Sequence, residues 1–242
     1  MAARARSSTS SSDADARADA VCRWLARRGS ARNREGMTRY GITSARMYGV
    51  SMAAMRPLVR RLGRDQALAA ALWRTGWLEA RLIAGCIADP AACTPRSMDR
   101  WARDFDSWAL TDGTCLHLFC DSPHAWGRVA AWRRRRGEQQ KRAAFALLAC
   151  LAVHDRVSND ARFARALDWV VEAATDERPF VRKAVNWALR QVGKRSLRLR
   201  DVALDAARRI AALDTPGSRW IASDARRELM SAAVVARLRA RA

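Results

Sequence analysis

Several features that would place a protein in a membrane or outside the cell are missing from this sequence. The longest apolar run, residues 143–153, has the length of a core helix and falls well short of the ~20 residues that cross a bilayer. Residues 1–20 carry three aspartates and no apolar stretch of the kind that a secretory signal needs. We therefore expect a cytoplasmic protein with no membrane partner, made of a disordered tail over residues 1–20 and one folded domain over residues 21–242.

The sequence also lacks the cysteine spacings of metal sites and of disulfide frameworks. None of the six cysteines forms a Cys-x-x-Cys pair, and most lie in apolar runs, so we predict reduced thiols in the core. One cluster, Cys115, His117, Cys120 and His124, has ligand-like residues close together. On a helix the last three would lie within about 60° of each other while Cys115 points away, and Pro123 interrupts that helix. We expect neither a metal nor a cofactor.

Acidic residues are scarce compared with basic ones. The chain has 45 Lys and Arg against 24 Asp and Glu, which gives a formal net charge of +21 and an isoelectric point of 11.4. Only Lys141, Lys183 and Lys194 are lysines, and abundant arginine together with abundant alanine is typical of a biased coding composition. A biased composition does not account for the whole net positive charge, because Asp and Glu are not enriched to the same extent as Arg. The net charge indicates a polyanionic partner, for which nucleic acid is the leading candidate.

The alternation with period two that marks half-buried strands is absent, and helical spacing of apolar residues runs nearly end to end. Glycine and proline punctuate the pattern, for example at Gly63, Gly76 and Thr215-Pro216-Gly217. The sequence therefore predicts an all-α protein. The predicted helices cover residues 14–29, 51–62, 65–74, 77–88, 96–104, 106–120, 124–135, 138–154, 159–174, 179–192, 198–213 and 219–240.

Two segments 40 residues apart resemble each other. Arg142-Ala143-Ala144-Phe145-Ala146-Leu147-Leu148 and Arg182-Lys183-Ala184-Val185-Asn186-Trp187-Ala188 both begin with basic residues and continue with small and apolar residues at helical spacing. A period near 40 is typical of HEAT-like repeats, whose two-helix units stack into a curved solenoid. We predict such an α-α superhelix, with a concave basic groove on its inner face.

The segment from Phe105 to Cys115 carries the most specific pair in the chain. Trp108 and Asp112 stand four positions apart, so a helix places them on the same face, one turn from each other. An indole face beside a carboxylate suits a site that holds a sugar ring and stabilises a developing positive charge. Gly113 follows directly, which predicts a loose helix next to the pair.

Five segments in order along the chain are Arg39-Tyr40-Gly41-Ile42 with Tyr48-Gly49-Val50, Leu72-Trp73 with Glu79-Ala80-Arg81-Leu82-Ile83-Ala84, Trp108 with Asp112, Lys141-Arg142-Ala143-Ala144-Phe145, and Val181-Arg182-Lys183-Ala184-Val185-Asn186-Trp187-Ala188-Leu189-Arg190. Their order and character resemble the HEAT-like-repeat alkylpurine DNA glycosylases, the AlkD type of DNA alkylation repair protein. The resemblance covers about Arg39 to Lys194. Its most specific parts are the Trp-x-x-x-Asp pair and the last of the five segments.

The resemblance implies a set of site residues. Trp108 and Asp112 match the residues that flank the deoxyribose of the lesion, and Trp187 matches a tryptophan that closes the other side of the cleft. Asp112, Trp108 and Trp187 are therefore the predicted catalytic residues. Ala109 departs from the family, since many relatives have an acidic residue there. The predicted DNA contacts are Tyr40, Arg142, Arg182 and Arg190.

The activity that the resemblance implies is hydrolysis of the N-glycosidic bond of purines alkylated at N3 or N7 in duplex DNA. Such a base is already cationic, so the remaining barrier is the formation of an oxocarbenium-like sugar, which a carboxylate stabilises. No lysine Schiff base is needed, so we expect a monofunctional enzyme without lyase activity. We expect it to act as a monomer associated with the nucleoid.

Each of these residues also has a structural interpretation. The two tryptophans can be core residues, Asp112 can cap a helix, and the arginines can lie on solvated faces. The run Arg133–Arg136 either complements a helix dipole or anchors a phosphate beside the cleft. Residues 226–241 predict a terminal capping helix rather than a membrane-binding one.

Two alternatives stay open for the whole chain: a HEAT-like module that binds distorted or branched DNA without catalysis, and a protein-binding solenoid.

Overall fold

The computed structural model describes residues 2–241, and the side chains of residues 12–241. All regular structure in this part of the chain is helical, which confirms the all-α prediction. None of the helices between residues 2 and 241 combines the length and the apolar composition needed to cross a membrane. The α-helices are α1 (Ala2–Ala26), α2 (Ala31–Arg39), α3 (Met52–Leu62), α4 (Gln66–Arg74), α5 (Leu78–Ile87), α6 (Pro95–Arg103), α7 (Trp108–His117), α8 (Ala125–Trp132), α9 (Glu138–His154), α10 (Asp160–Ala173), α11 (Pro179–Gly193), α12 (Leu197–Ala211), α13 (Pro216–Leu229) and α14 (Ala232–Arg239), with short 3-10 helices at Pro90–Ala92 and Phe119–Asp121.

Helix α1 occupies the segment for which a disordered tail, residues 1–20, was predicted. From residue 12 onward, Ala14, Ala18, Val21 and Leu25 are buried at a spacing of three or four, and α1 packs against α4 and α5. The prediction of disorder is therefore wrong for residues 12–20. It failed because the buried stripe begins with two alanines, which do not stand out as a core-facing pattern in an alanine-rich segment.

From α4 onward the helices follow as two-helix units, and the second helix of each unit packs on the second helix of the next. We call α5, α7, α9, α11 and α13 the inner helices. Arg142 near the start of α9 donates to the carbonyl oxygen of Phe180 near the start of α11, at 2.6 Å. Arg195, just after α11, donates to the carbonyl oxygen of Ala152 near the end of α9, at 3.2 Å. The start of α9 thus contacts the start of α11, and the end of α9 contacts the end of α11, so the two helices run parallel.

Several polar contacts between neighbouring inner helices join residues that are 38 positions apart. They link Arg142 to Phe180, Asn186 to Asp224, and Arg190 to Glu228. A constant offset between contacting residues is what a repeat of that length produces when its units stack. The predicted HEAT-like helical-repeat architecture, with its period near 40, is thereby confirmed.

Helix α9 is the centre of the stack. Every residue from Arg142 to Ala152 is buried, which is the pattern of a helix enclosed on all sides rather than of an amphipathic surface helix. Helices α7, α8 and α11 all pack on it. Because Arg142 is the one charged side chain in this buried run, it needs a partner inside the protein.

Two elements differ from those predicted. Helix α2 was not predicted, and none of its residues is buried, so it has no apolar stripe by which sequence reasoning could find it. The predicted helix over residues 219–240 is two helices, because α13 ends at Leu229 and Ser231 caps α14, its side chain accepting from the Val234 N–H.

All six cysteines carry free thiols, and four of them are buried.

The close packing of the last repeats predicts the effect of a single methyl group. A Cβ on Gly193 of α11 would lie 2.8 Å from Leu229 Cδ2 and 2.9 Å from Ala203 Cβ, whereas a Cβ on Gly127 of α8 would meet nothing within 4 Å. We expect Gly193→Ala to lower the free energy of unfolding by about 1–3 kcal/mol through overpacking. Gly127→Ala should raise it by about 0.5–1 kcal/mol. Urea denaturation of both variants tests this, and equal stabilities would contradict it.

Candidate functional site

A cleft of about 360 Å³ opens where the N-terminal parts of α7, α9 and α11 meet the chain that follows α2. It brings together five of the seven predicted site residues, although they come from four separate segments of the chain. We call it the tryptophan cleft. The residues that line it are Tyr40, Trp108, Asp112, Arg142, Phe180, Lys183 and Trp187.

Helix α7 supplies the predicted pair. Trp108 is its first residue, and Asp112 follows one turn later on the same face. The helix continues well beyond Asp112, so this residue is not a helix cap. Gly113 does not loosen the helix; a Cβ at this position would come within 2.9 Å of Leu82 Cδ2, so the glycine lets α7 approach α5 closely.

An ion pair between α9 and α7 fixes the Asp112 carboxylate. Arg142 Nε donates to Asp112 Oδ1 at 2.8 Å and Arg142 Nη2 donates to Asp112 Oδ2 at 2.6 Å, which is a bidentate pair. The third nitrogen, Nη1, donates to the Phe180 carbonyl oxygen. The Arg142 side chain is 7% exposed and that of Asp112 is 20% exposed. The carboxylate is therefore the more accessible member of the pair.

Burial raises the pKa of the Asp112 carboxyl above its ordinary value, while the charge and hydrogen bonds of Arg142 oppose that rise. Both carboxyl oxygens accept hydrogen bonds from the guanidinium, so the geometry is that of the ionised carboxylate. A carboxylate offers roughly four lone-pair sites, of which a bidentate arginine uses about two. The remaining lone pairs are available to a group that enters the cleft.

The chain after α2 borders the cleft on its other side. The Trp108 indole Nε1 donates to the Tyr40 carbonyl oxygen at 2.9 Å, and the Tyr40 side chain is left 78% exposed. Gly41 has a φ of 77°, and a Cβ there would lie 3.0 Å from the Phe180 ring. A glycine suits both the left-handed backbone and the close approach. These contacts attach the N-terminal segment to both α7 and α11.

Helix α11 supplies the third side of the cleft. Phe180, Lys183 and Trp187 are spaced by three and four residues, which places them on one face of the helix. Trp187 and Trp108 are both half-buried, so each packs against the core with one part and lines the cleft with another. Phe180 and Lys183 were not among the predicted site residues. Counting back from Trp187 by four residues and then by three would have identified them, because these positions share one face of a helix.

Two predicted DNA contacts, Arg182 and Arg190, do not line the tryptophan cleft. Arg190 pairs with Glu228 and lies 3.6 Å from Asp224, both on α13. Arg182 lies 3.8 Å from Glu177, and its guanidinium stacks over the Trp220 ring at 5.3 Å. Both arginines therefore join α11 to neighbouring segments of the protein. Sequence reasoning could not separate them from cleft residues, because their partners lie in other segments.

The four arginines at 133–136 divide in the structure. Arg133 pairs with Glu172 of α10 and stacks over the Trp169 ring at 5.1 Å, so it joins α8 to α10. Arg134, Arg135 and Arg136 are exposed. The carbonyl oxygen of Arg136 accepts a hydrogen bond from Arg178 at 2.6 Å, which places this end of the run beside the start of α11. A phosphate contact by the exposed members stays a prediction.

Comparison with known proteins agrees with this architecture. The profile of a family described as DNA alkylation repair enzyme matches residues 22–229. The chain belongs to that family. A search of curated proteins found no match. Among solved structures, the chain is similar to a member of a family described as related to the HEAT-like repeat DNA glycosylases, with affinity for branched DNA structures; the TM-score is 0.71 at 23% identity, over 79% of this chain and 82% of the other. At 23% identity this similarity establishes the helical-repeat fold and does not extend to the activity.

The buried ion pair predicts a pattern of stability. Arg142→Met leaves the Asp112 carboxylate without its counter-charge, so the free energy of unfolding should fall by about 3–5 kcal/mol. Arg182→Met removes an arginine from the equivalent place in the next repeat, where the pair is longer and more exposed, and should cost below about 1 kcal/mol. Urea denaturation measures both. Similar costs for the two substitutions would show that Arg142 is not compensating a buried charge.

Proposed function

We propose that the tryptophan cleft is the active site of a DNA glycosylase that releases cationic N3- and N7-alkylated purines from duplex DNA by hydrolysis. The observation that carries the proposal is one accessible carboxylate, Asp112, in an open cleft that also holds a tryptophan from each of two inner helices. Membership in a family of DNA alkylation repair enzymes supports the same class of substrate. The net charge of +21 supports a polyanionic one.

The carboxylate is suited to the difficult part of this reaction. An alkylated purine already carries a positive charge, so it leaves without protonation, and the barrier is the positive charge that develops on the sugar. Asp112 can stabilise that charge and orient the attacking water through the lone pairs that Arg142 does not use. Because the ion pair fixes the carboxylate in advance, little reorganisation is needed when the charge appears.

The other cleft residues have complementary roles in this proposal. The indole faces of Trp108 and Trp187 can contact the cationic sugar and base, and each cation–π contact is worth about 0.5–2 kcal/mol. Lys183 is exposed at the cleft and suits a phosphate contact. Arg142 differs from the role that the resemblance implied, since three of its nitrogens already bind protein atoms. We assign it as a positioning residue for Asp112.

The first test concerns the carboxylate. Asp112→Asn keeps the shape of the side chain and one acceptor oxygen for Arg142, and it removes the charge. Single-turnover release of N7-methylguanine from duplex DNA should fall by about 10- to 1000-fold, the range for loss of one preorganised electrostatic group. Circular dichroism and binding to undamaged duplex control for folding. Trp108→Ala and Trp187→Ala should each lower the same rate by less. An Asp112→Asn variant with the unaltered rate would refute the assignment.

The second test uses pH. Protonation of Asp112 removes its charge, and burial places its pKa above the ordinary value of 3.8. The rate of base release should therefore be independent of pH near neutrality and fall by about tenfold per pH unit below that raised pKa. The Asp112→Asn variant should lack this acidic limb. Release measured without protein is subtracted at each pH, and an identical limb in the two proteins would assign it to another group.

A second candidate function is binding of branched or distorted DNA without catalysis. The similar solved structure is described as having affinity for branched DNA. The bidentate pair also favours this candidate, because a carboxylate compensated on both oxygens stabilises an external cation less than a free one does. A protein that binds three-way junctions more tightly than duplex and releases no alkylated base would support the second function over the first.

A further inference from the structure

The face of the inner helices that carries the tryptophan cleft continues toward their C-terminal ends. On α11, Gln191 and Lys194 follow Trp187 at spacings of four and three, so they extend the same stripe. On α7, Leu116 extends the stripe of Trp108 and Asp112 by one more turn. Both stripes begin in the tryptophan cleft, and each ends in a different cleft. The α11 stripe ends in one cleft and the α7 stripe in another.

The cleft at the end of the α11 stripe has a volume of about 670 Å³ and is strongly basic. Its ion pairs join Lys194 to Glu228 and Arg195 to Asp160. Arg156 and Arg237 are exposed and have no carboxylate partner among residues 12–241, whose side chains the structure describes. The charged residues that line this cleft are Arg156, Lys194, Arg195, Arg237, Arg241 and Asp160.

The turn that carries Arg156 is held in place by its neighbours. Arg195 donates to the carbonyl oxygens of Ala152 and Ser158, at 3.2 and 3.0 Å, on either side of the turn. The Asp155 carboxylate accepts from two backbone N–H groups of the turn, at 2.8 and 2.9 Å. A fixed turn presents the Arg156 guanidinium at lower entropic cost than a flexible loop would.

The cleft at the end of the α7 stripe continues this basic surface. It has a volume of about 750 Å³, and its lining includes Arg56 and Arg60 of α3 together with His117 and His154. His154 adjoins Val153, which lines the first basic cleft, so the two clefts meet at the end of α9. Burial lowers the pKa of the His117 imidazole, and the neighbouring Arg56 guanidinium lowers it further.

We propose that the two clefts form one phosphate-binding row, made of Arg56, Arg60, Arg156 and Arg237, which binds the DNA strand lying across a groove from the strand in the tryptophan cleft. We call it the C-terminal basic row. The proposal rests on the proposed binding of duplex DNA and not on catalysis.

The spacing of the two sites fits one duplex. Trp187 and Lys194 are seven residues apart on α11, which corresponds to about 10 Å along the helix, and Trp108 and Leu116 are eight apart on α7, or about 12 Å. The major groove of B-DNA is about 12 Å wide and the minor groove about 6 Å. The two sites therefore lie apart by a distance on the scale of a DNA groove, so a duplex whose damaged strand enters the tryptophan cleft can bring its other strand to the C-terminal basic row.

The test compares two double variants with the same change in charge. Arg156→Gln/Arg237→Gln removes two exposed arginines of the row, and Arg165→Gln/Arg198→Gln removes two exposed arginines from α10 and α12, which are the first helices of their two-helix units. Affinity for undamaged linear duplex is measured over ~50–200 mM salt. The slope of log affinity against log salt should become shallower by about 0.9 for each lost phosphate contact in the first variant, and stay unchanged in the second. Equal slopes in both variants would overturn the proposal.

A second measurement locates the contact on the DNA with the unaltered protein. Neutral methylphosphonate linkages are placed either in the strand that carries the lesion or in the opposite strand. Substitution across the groove in the opposite strand should weaken binding of the unaltered protein and leave binding of Arg156→Gln/Arg237→Gln little changed. Dependence on the lesion strand alone, or a loss confined to three-way junctions with linear duplex unaffected, would overturn the proposal. Base release is measured separately with the unaltered protein. Its absence would refute the proposed catalysis, while the salt slopes and the methylphosphonate results decide this row.

Discussion

The buried pair between Asp112 and Arg142 is the interaction on which the rest of the site depends. Arg142 is the one charged residue in the enclosed stretch of α9, and it binds α7 through the carboxylate and α11 through the Phe180 carbonyl oxygen. Three successive inner helices are therefore held in register by one side chain. The same contact orients the carboxylate toward the cleft, so the stability of the stack and the geometry of the site have a common cause.

The positive charge of the chain has two separate uses. Some arginines hold neighbouring repeats together, such as Arg133 with Glu172 and Arg190 with Glu228. Others, such as Arg156, lie exposed without a carboxylate among the described residues. Composition alone counts both kinds equally, and so it overstates the charge available to a polyanion. On the proposals made above, the exposed cations, Lys183 at the tryptophan cleft and those of the C-terminal basic row, are the part available to DNA.

Sequence reasoning predicted the fold and the cleft better than it predicted roles. The spacing of Trp108 and Asp112 is local, so the rule for helix neighbours was enough to place them together. The roles of Arg142 and Arg190 depend on partners that lie 30 and 38 positions away, and only the packing of the repeats sets those distances. Helix α1 was missed for a different reason, because its buried face starts with alanines that a biased composition hides.

On the proposed function, the ion pair also removes a conflict between binding and catalysis. A bare carboxylate about 6 Å from a DNA phosphate would be repelled by about 3 kcal/mol at an effective dielectric constant of ~20. Arg142 compensates that repulsion while the backbone approaches, and the Asp112 side chain is the more accessible of the two, at 20% against 7% exposed. A compensated carboxylate stabilises a cationic sugar less than a free one does, and the lone pairs that Arg142 does not use are what remains for that stabilisation. The pair thus permits the approach of DNA and still leaves a fixed carboxylate for catalysis.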